Sequence, residues 1–522
     1  MIAHKQIAPA VLVLCLLSAG RVLGQEPSGW MSQLADVQNF SLRGDGVALS
    51  SRLKDIERDS GIEFRIPADF AADTLGLGTR TWIGADAVGE ALRGYNYAAV
   101  WGDDGRLKRL FVRGRSGVSG VQSSHAQPAS NRSQRDLVVY DAEAAGRPLP
   151  EKFRALKSGS VIPIMSPIEK LTRMKLGDKA TLGLPIGQFE VVHDNALRHE
   201  NGDSSWVGYL ATEGKAFRVI ITHGEGGTVT GQINTPNGVF KIEQAGAQAW
   251  LVDMSATGLS SAATLDNDQR HVPADPEPRA PIPAASASVD NPATVDLLVL
   301  YTPGLNEGAP LTRINHLLAL TQQSYLDSEI FVNLRLVHAQ AVDYPEGTAN
   351  SAALDDLTFN RLSADIAGLR NQYGADLVAL LRPLQAAAQA NCGVAWVGGA
   401  NNQPLVPEAG FAVVSDGYDD RYFCHEYTFA HELGHTFGNV HDESVSPQGI
   451  FPFSYAWGVV GQFVTIMSYM IDAAPLVGKF ANPRITCTAS GLSCGDPAVA
   501  DNARTTNLTA PSIADYRPTA LH

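Results

Sequence analysis

At 522 residues, with 44% hydrophobic and 18% charged side chains, the chain is too long for one hydrophobic core and too apolar to stay unfolded, so several globular units are expected. A formal net charge of -14 excludes the basic stripe that nucleic-acid binding requires, so no nucleic-acid partner is expected. No stretch after the N-terminus approaches the roughly 20 apolar residues of a membrane-spanning helix, which argues against stable membrane insertion.

The first residues read as an export signal. His4 and Lys5 precede an apolar run over 7–19, and the following segment predicts cleavage after Gly24, hence a secreted protein, extracellular or periplasmic. Cys15 inside that run leaves a lipoprotein reading open, although bulky Leu14 before it suits such a site poorly. Residues 30–116 read as a small α/β unit, with helical patterns at 47–56 and 87–92 and strand-like runs at 62–66, 95–100 and 107–112. Residues 117–136, rich in Ser, Gln, Gly and Asn, are a linker by composition. From 137 to 256 short runs separated by turn residues predict a β-rich domain, with strands at 187–192, 206–210, 217–222, 228–233 and 238–242. Residues 257–291 carry many Pro, Ala, Ser and Asp and predict an exposed linker open to proteolysis, where maturation could cut. The last domain, 292–522, opens on the apolar run 295–301, typical of a buried strand. A helix to about Asp327, a strand at 332–337, a helix over 353–372 and a strand at 375–381 follow, and this alternation implies an α/β sheet.

Beyond the signal lie four cysteines, Cys392, Cys424, Cys487 and Cys494, an even number consistent with two disulfides formed outside the cytoplasm. Three pairings are possible. Proximity favours Cys487 with Cys494, leaving Cys392 with Cys424 to brace the approach to residues 428–435; no Cys-x-x-Cys spacing supports a zinc-thiolate site instead.

Residues 428–435 carry the chemistry. They read as a helix, and the spacing of four puts the imidazoles of His431 and His435 one turn apart on a single face, able to share one zinc ion. Glu432 projects to one side of that face, where it can take a proton from water as a general base. Gly438 supplies the left-handed backbone that ends a helix, and the reversal lets His441 return as a third nitrogen ligand. Three protein ligands leave a position for water, whereas a purely structural zinc site needs no base and closes its fourth position with another ligand.

With Asp442 next to His441, these residues match the extended zinc signature of the metzincin metalloproteases, whose downstream methionine turn resembles 465–469 with Met467 as the apolar floor below the metal. Asp442, the cysteine ahead of the motif and the stretch 392–398 are most similar to the reprolysin-like, or adamalysin-like, branch over roughly 293–518. The resemblance implies a metzincin α/β (α+β) catalytic domain with a twisted mixed sheet and a zinc-binding active-site helix. It implies zinc as cofactor and proteins or peptides as substrates, cut at internal bonds without a covalent intermediate. It also implies that Gly393, Val394, Ala395, Trp396 and Val397 form an edge strand on which an extended substrate adds. Tyr469 is instead similar to astacins and serralysins, where a tyrosine two places after the methionine reaches the metal or the oxyanion. The bacterial peptidyl-Asp endopeptidases stay open as the subfamily, with Lys479 and Arg484 placed where specificity walls lie. The β-rich domain looks like the propeptide of secreted bacterial metalloproteases, and the small domain resembles the short domain at the N-termini of secretins and TonB-dependent receptors; a plain pro-region subdomain is the other reading. No cysteine lies between Cys15 and Cys392, so a propeptide thiolate cannot cap the zinc; by analogy with astacin-like zymogens, Asp203 after Gly202 is a candidate carboxylate. The expectation is a secreted zinc endopeptidase made as a zymogen. A non-catalytic zinc-containing binding protein and an envelope assembly factor are the competing classes.

Overall fold

The computed structural model describes residues 136–262, 268–272, 286–305, 309–469 and 474–520, and before them only short elements within 14–17, 41–42, 48–60, 63–65, 82–83, 95–101 and 107–115. The chain divides into Met1–Gln127 and Pro128–His522. In the first unit Leu14–Leu17, Tyr95–Trp101, Leu107–Arg115 and Glu63–Arg65 form a four-stranded sheet, accompanied by the helix Leu49–Ser60. Most of the expected export signal, the 87–92 helix and the 117–135 part of the first linker lie outside the described residues. Among the described residues no helix is long and apolar enough to cross a membrane.

The second unit begins with a nine-stranded sheet built from β1 (Asp136–Val138), β2 (Val161–Ile164), β3 (Lys179–Leu184), β4 (Gly187–Arg198), β5 (Ser204–Leu210), β6 (Gly214–His223), β7 (Val229–Thr235), β8 (Gly238–Ala245) and β9 (Gln248–Asp253). The order β1-β3-β4-β5-β6-β7-β8-β9-β2 closes on itself, because Met165 N–H donates to Val139 O at 2.8 Å and Asp141 N–H to Pro163 O at 2.9 Å. Closure removes the sheet edges. The sequence pattern finds β4 to β8, while β1, β2, β3 and β9 depend on these non-local pairings.

The run Val219-Ile220-Ile221 on β6 is apolar without a break because both of its faces are covered. Val219 and Ile221 point into the barrel core, whereas Ile220, with Val207 of β5, packs into the core of the following domain. Burying each such side chain contributes about 1.5–3 kcal/mol, so the barrel and the last domain share one interior. Buried ion pairs cross the same boundary: Lys241 Nζ lies 2.6 Å from Glu426, and Arg218 Nε donates to Asp327 at 2.6 Å.

The last domain is a six-stranded sheet of order β10-β14-β15-β13-β11-β12, formed by β10 (Gln269–Arg270), β11 (Ala293–Tyr301), β12 (Val332–Ala341), β13 (Leu377–Pro383), β14 (Gly393–Trp396) and β15 (Phe411–Asp416). All its pairs are parallel except β14 with β15, so the sheet is mixed as expected. On β11 Leu297 and Val299 face one core, Leu298 and Leu300 the other. Helices α1 (Pro310–Asp327), α4 (Thr428–Thr436) and α5 (Asn502–Ile513) cover the first face; α2 (Asn350–Thr358) and α3 (Ile366–Tyr373) cover the second. The single helix expected over 353–372 is therefore two. Asn360 adopts φ 57 between them, and Asp365 caps the second helix, its side chain accepting from Gly368 N–H at 3.0 Å.

Residues 268–270, expected in an exposed linker, are instead held against the sheet of the last domain. Asp268 and Gln269 are buried, and β10 pairs with β14 through Gln269 opposite Ala395 and Arg270 opposite Trp396.

Candidate active site

Every residue of α4 is buried, and a tight contact on each side holds it. Gly434 lies on Met467: a Cβ there would stand 2.4 Å from the Met467 sulfur, so only glycine lets the helix settle on that floor. Ahead of α4, the Cys392–Cys424 disulfide ties the start of β14 to the approach of the helix, and Cys487–Cys494 closes a short hairpin; these are the pairings that proximity favours. After the helix Gly438 takes φ 90, and a side chain there would strike Ile450 and Gly398 O, so the chain can turn back and deliver His441. Asp442 holds this return against the methionine turn, accepting from Ser468 Oγ at 3.0 Å and from Tyr469 N–H at 2.9 Å.

His431, His435 and His441 converge. His441 Nε2 is 3.3 Å from His431 Nε2 and 3.1 Å from His435 Nε2. Their far nitrogens are committed elsewhere: His431 Nδ1–H donates to Ile466 O at 2.8 Å, and His435 Nδ1–H donates to Asn439 O at 2.9 Å. Two neutral rings tied in this way turn Nε2 lone pairs toward the third imidazole at hydrogen-bond range, an arrangement that calls for a cation at its centre. The separations also match a tetrahedral metal with bonds of about 2.0–2.1 Å, whose edges are about 3.3–3.4 Å.

A fourth donor that the motif does not announce completes the cluster. Asp268 places one carboxylate oxygen 2.7 Å from His441 Nε2 and 3.4 Å from His435 Nε2, and the other 3.3 Å from His431 Nε2. These four side chains are the candidate metal-holding group among the described residues. Burial pushes the Asp268 carboxyl upward, but the imidazoles of His441 and His431 that face it outweigh burial and hold the group well below its ordinary value.

Glu432 is fully buried, and neither of its carboxylate oxygens has a hydrogen-bond partner. Burial, then the nearby Asp268 charge, pushes its carboxyl well above the usual range. Tyr469 stacks its ring on His441 at 3.6 Å between centroids, and its hydroxyl accepts from Asp268 N–H at 3.1 Å. A small pocket beside Glu432 is lined by His425, Tyr427, Thr428, Ile466 and Leu476. Gly393 to Trp396 form β14 as expected, but β10 covers its outer edge: Ala395 N–H donates to Asp268 O at 2.9 Å and Val397 N–H to Arg270 O at 2.7 Å.

Three candidates lie elsewhere. Lys479 is buried and donates to Thr486 O at 2.8 Å, while Arg484 is paired with Asp501 at 3.0 Å, and neither lines the pocket beside Glu432. Asp203 accepts from Asn315 Nδ2 at 3.0 Å, at the contact between the barrel and α1, and is not in the metal-holding group. Asp268 is not legible in the sequence, because its surroundings read as linker and no local signal marks it.

Residues 291–499 match the family described as "Metallo-peptidase family M12B Reprolysin-like", and residues 153–257 match one described as "BamI lipocalin-like domain". A peptidyl-Asp metalloendopeptidase of Pseudomonas aeruginosa is 34% identical over 261 residues, an alignment covering 45% of this chain and 42% of that protein, so the chain spans less than half of that relative. Proteins of the same name from Stenotrophomonas maltophilia and Xanthomonas campestris are 24% and 27% identical over 77% and 79% of this chain and 96% and 97% of their own length. The crystal structure of metalloproteinase-II from Bacteroides fragilis aligns with 60% of this chain and 91% of its own at a TM-score of 0.38 and 12% identity.

Proposed function

We propose that the chain, whose residues 291–499 match the reprolysin-like metallopeptidase family and which is similar to proteins named peptidyl-Asp metalloendopeptidase, is an exported zinc-dependent endopeptidase, made as a zymogen, with Glu432 as general base. The observation that carries this reading is the convergence of three imidazoles, two of them with their Nδ1 donors tied back, beside a buried carboxylate that no other group engages.

His431, His435 and His441 would hold a zinc ion, which would supply a Lewis acid for the scissile carbonyl. The chain's own groups do the rest. Glu432 takes a proton from the attacking water as the new C–O bond forms, then passes it to the leaving amine as the C–N bond breaks. Tyr469, stacked on His441, offers a hydroxyl to the developing oxyanion. The N–H groups of Ala395 and Val397 hold an extended substrate once β10 has left them. The zymogen reading is supported by that occupancy, since substrate and residues 269–270 compete for one strand position.

Casein hydrolysis by the matured protein and by Glu432→Ala, with zinc content measured on both, tests the mechanism. The variant is expected to keep its zinc and lose activity, and 1,10-phenanthroline to silence the parent. If neither protein cleaves although both hold one zinc, a non-catalytic binding protein is the better account. Relatives named for peptidyl-Asp cleavage favour bonds beside aspartate as the preferred sites. Peptide-library profiling tests this, and a product set without aspartate enrichment would sink it.

A further inference from the structure

Resting on the zinc endopeptidase reading, we propose that Asp268 is a fourth protein ligand of the metal, and that this bond, rather than steric cover alone, keeps the proenzyme latent.

The geometry distinguishes a ligand from a bystander. Both Asp268 oxygens face imidazole Nε2 atoms, at 2.7 to 3.4 Å, and the residue is only 5% exposed. A buried carboxylate of this kind is unfavourable unless it meets positive charge, and a divalent metal among three neutral imidazoles provides that charge. The backbone on either side is pinned as a ligand support would be. Asp268 N–H donates to Tyr469, and the carbonyls of Asp268 and Arg270 accept from β14. The Gln269 amide bonds Ser446 at 2.7 Å; the Arg270 guanidinium donates to Asp355 at 2.8 Å and lies 4.7 Å over the Trp396 ring.

The same contacts explain why the segment resists the site it occupies. The Asp268 and Arg270 carbonyls are turned toward β14 N–H groups, so the metal centre meets a side-chain carboxylate where hydrolysis needs a peptide carbonyl. The carboxylate also takes the fourth position, from which Glu432 would draw its water. Latency thus needs no cysteine. It ends when a cut in the flanking chain lets residues 268–270 leave, because the ligand is strong only while it is intramolecular.

The test uses the full-length chain with Glu432→Gln, which stops self-processing, loaded with cobalt(II) and titrated with acetohydroxamate. With Asp268 present the visible cobalt bands are expected to ignore the probe. In Asp268→Ala the bands should change before any probe is added, and the probe should bind at least tenfold more tightly; Asp268→Asn should lie between. Circular dichroism checks folding, and Asp268→Asn decides the matter if the alanine variant unfolds. Identical spectra and probe affinities in all three chains would overturn the proposal and leave steric cover as the block. A cobalt spectrum that depends on Asp268, where the matured parent with Glu432 intact cleaves nothing, would sink the endopeptidase reading and leave the ligand assignment standing. Failure to bind cobalt at all would overturn both.

Discussion

Gly393 opens β14 directly over Glu432, the proposed general base, and replacing it with alanine should abolish the proposed activity without emptying the metal site. An added Cβ would stand 2.5 Å from Glu432 Oε1 and 2.7 Å from its Cδ and Cγ. Nonbonded carbons rest at about 3.5–4.0 Å, so something must move by roughly 1 Å. The helix cannot easily yield: Glu432 is fully buried, and Phe429 and Leu433 anchor α4 in the core beside Met467. The carboxylate takes the displacement. A misplacement of about 1 Å costs roughly 100-fold in rate, equivalent to about 2.7 kcal/mol of barrier, and the overpacking removes about 1–3 kcal/mol of stability. The assay is kcat and KM of the matured Gly393→Ala protein on a peptide substrate, with zinc content and Tm. The expected result is a kcat about 100-fold down, with zinc retained. A kcat within threefold of the parent, at full zinc occupancy, would refute the placement of Glu432 beneath this strand.

Arg313 bridges Asp416 and Glu426 in the interior at 2.6 Å and 2.5 Å, so Arg313→Met should destabilise the protein by about 3–5 kcal/mol in denaturant unfolding; a loss below 1 kcal/mol would contradict that role. Cys392 and Cys424 close a loop of 32 residues, and replacing both with serine should cost about 3–4 kcal/mol by the same measurement, with the Cys487–Cys494 bridge intact by mass. Burial, and then the Lys241 charge, pushes the His425 imidazole down from 6.5 to about 4. A depressed folded value leaves its stability contribution complete above about pH 6.5 and removes it as pH falls toward 4, so pro-form stability should decline across that window and His425→Gln should flatten the decline. Equal pH profiles would exclude His425 as the source.

What the chain reveals on inspection depends on how local each determinant is. The histidines and Glu432 are legible because helix pitch alone aligns His431 with His435, and a single glycine turn brings back His441. The strand at 293–301 is legible because both faces are buried, so every position is free to be apolar. Barrel closure is not, since β1 is defined by partners at 181–182 and the chain just after it by partners at 163–165. The strand at 411–416 carries no local signal either, its burial being set by β13 and β14 on either side.

The choice between Asp203 and Asp268 as the latency carboxylate shows the same division at the level of chemistry. Asp203 is preceded by Gly202 and looks like a capping aspartate in one dimension, yet the hydrogen bond from Asn315 commits it to the joint between the barrel and α1. Asp268 sits among residues whose composition says linker, and most of 257–291 carries no other instruction. Only a two-residue strand, Gln269–Arg270, distinguishes it, and two residues are too few for any periodicity to register. A cap that must later be released gains from that brevity, because few backbone bonds hold it. Proteolysis of the compositionally loose chain on either side is then enough to convert a bound carboxylate into a departing peptide.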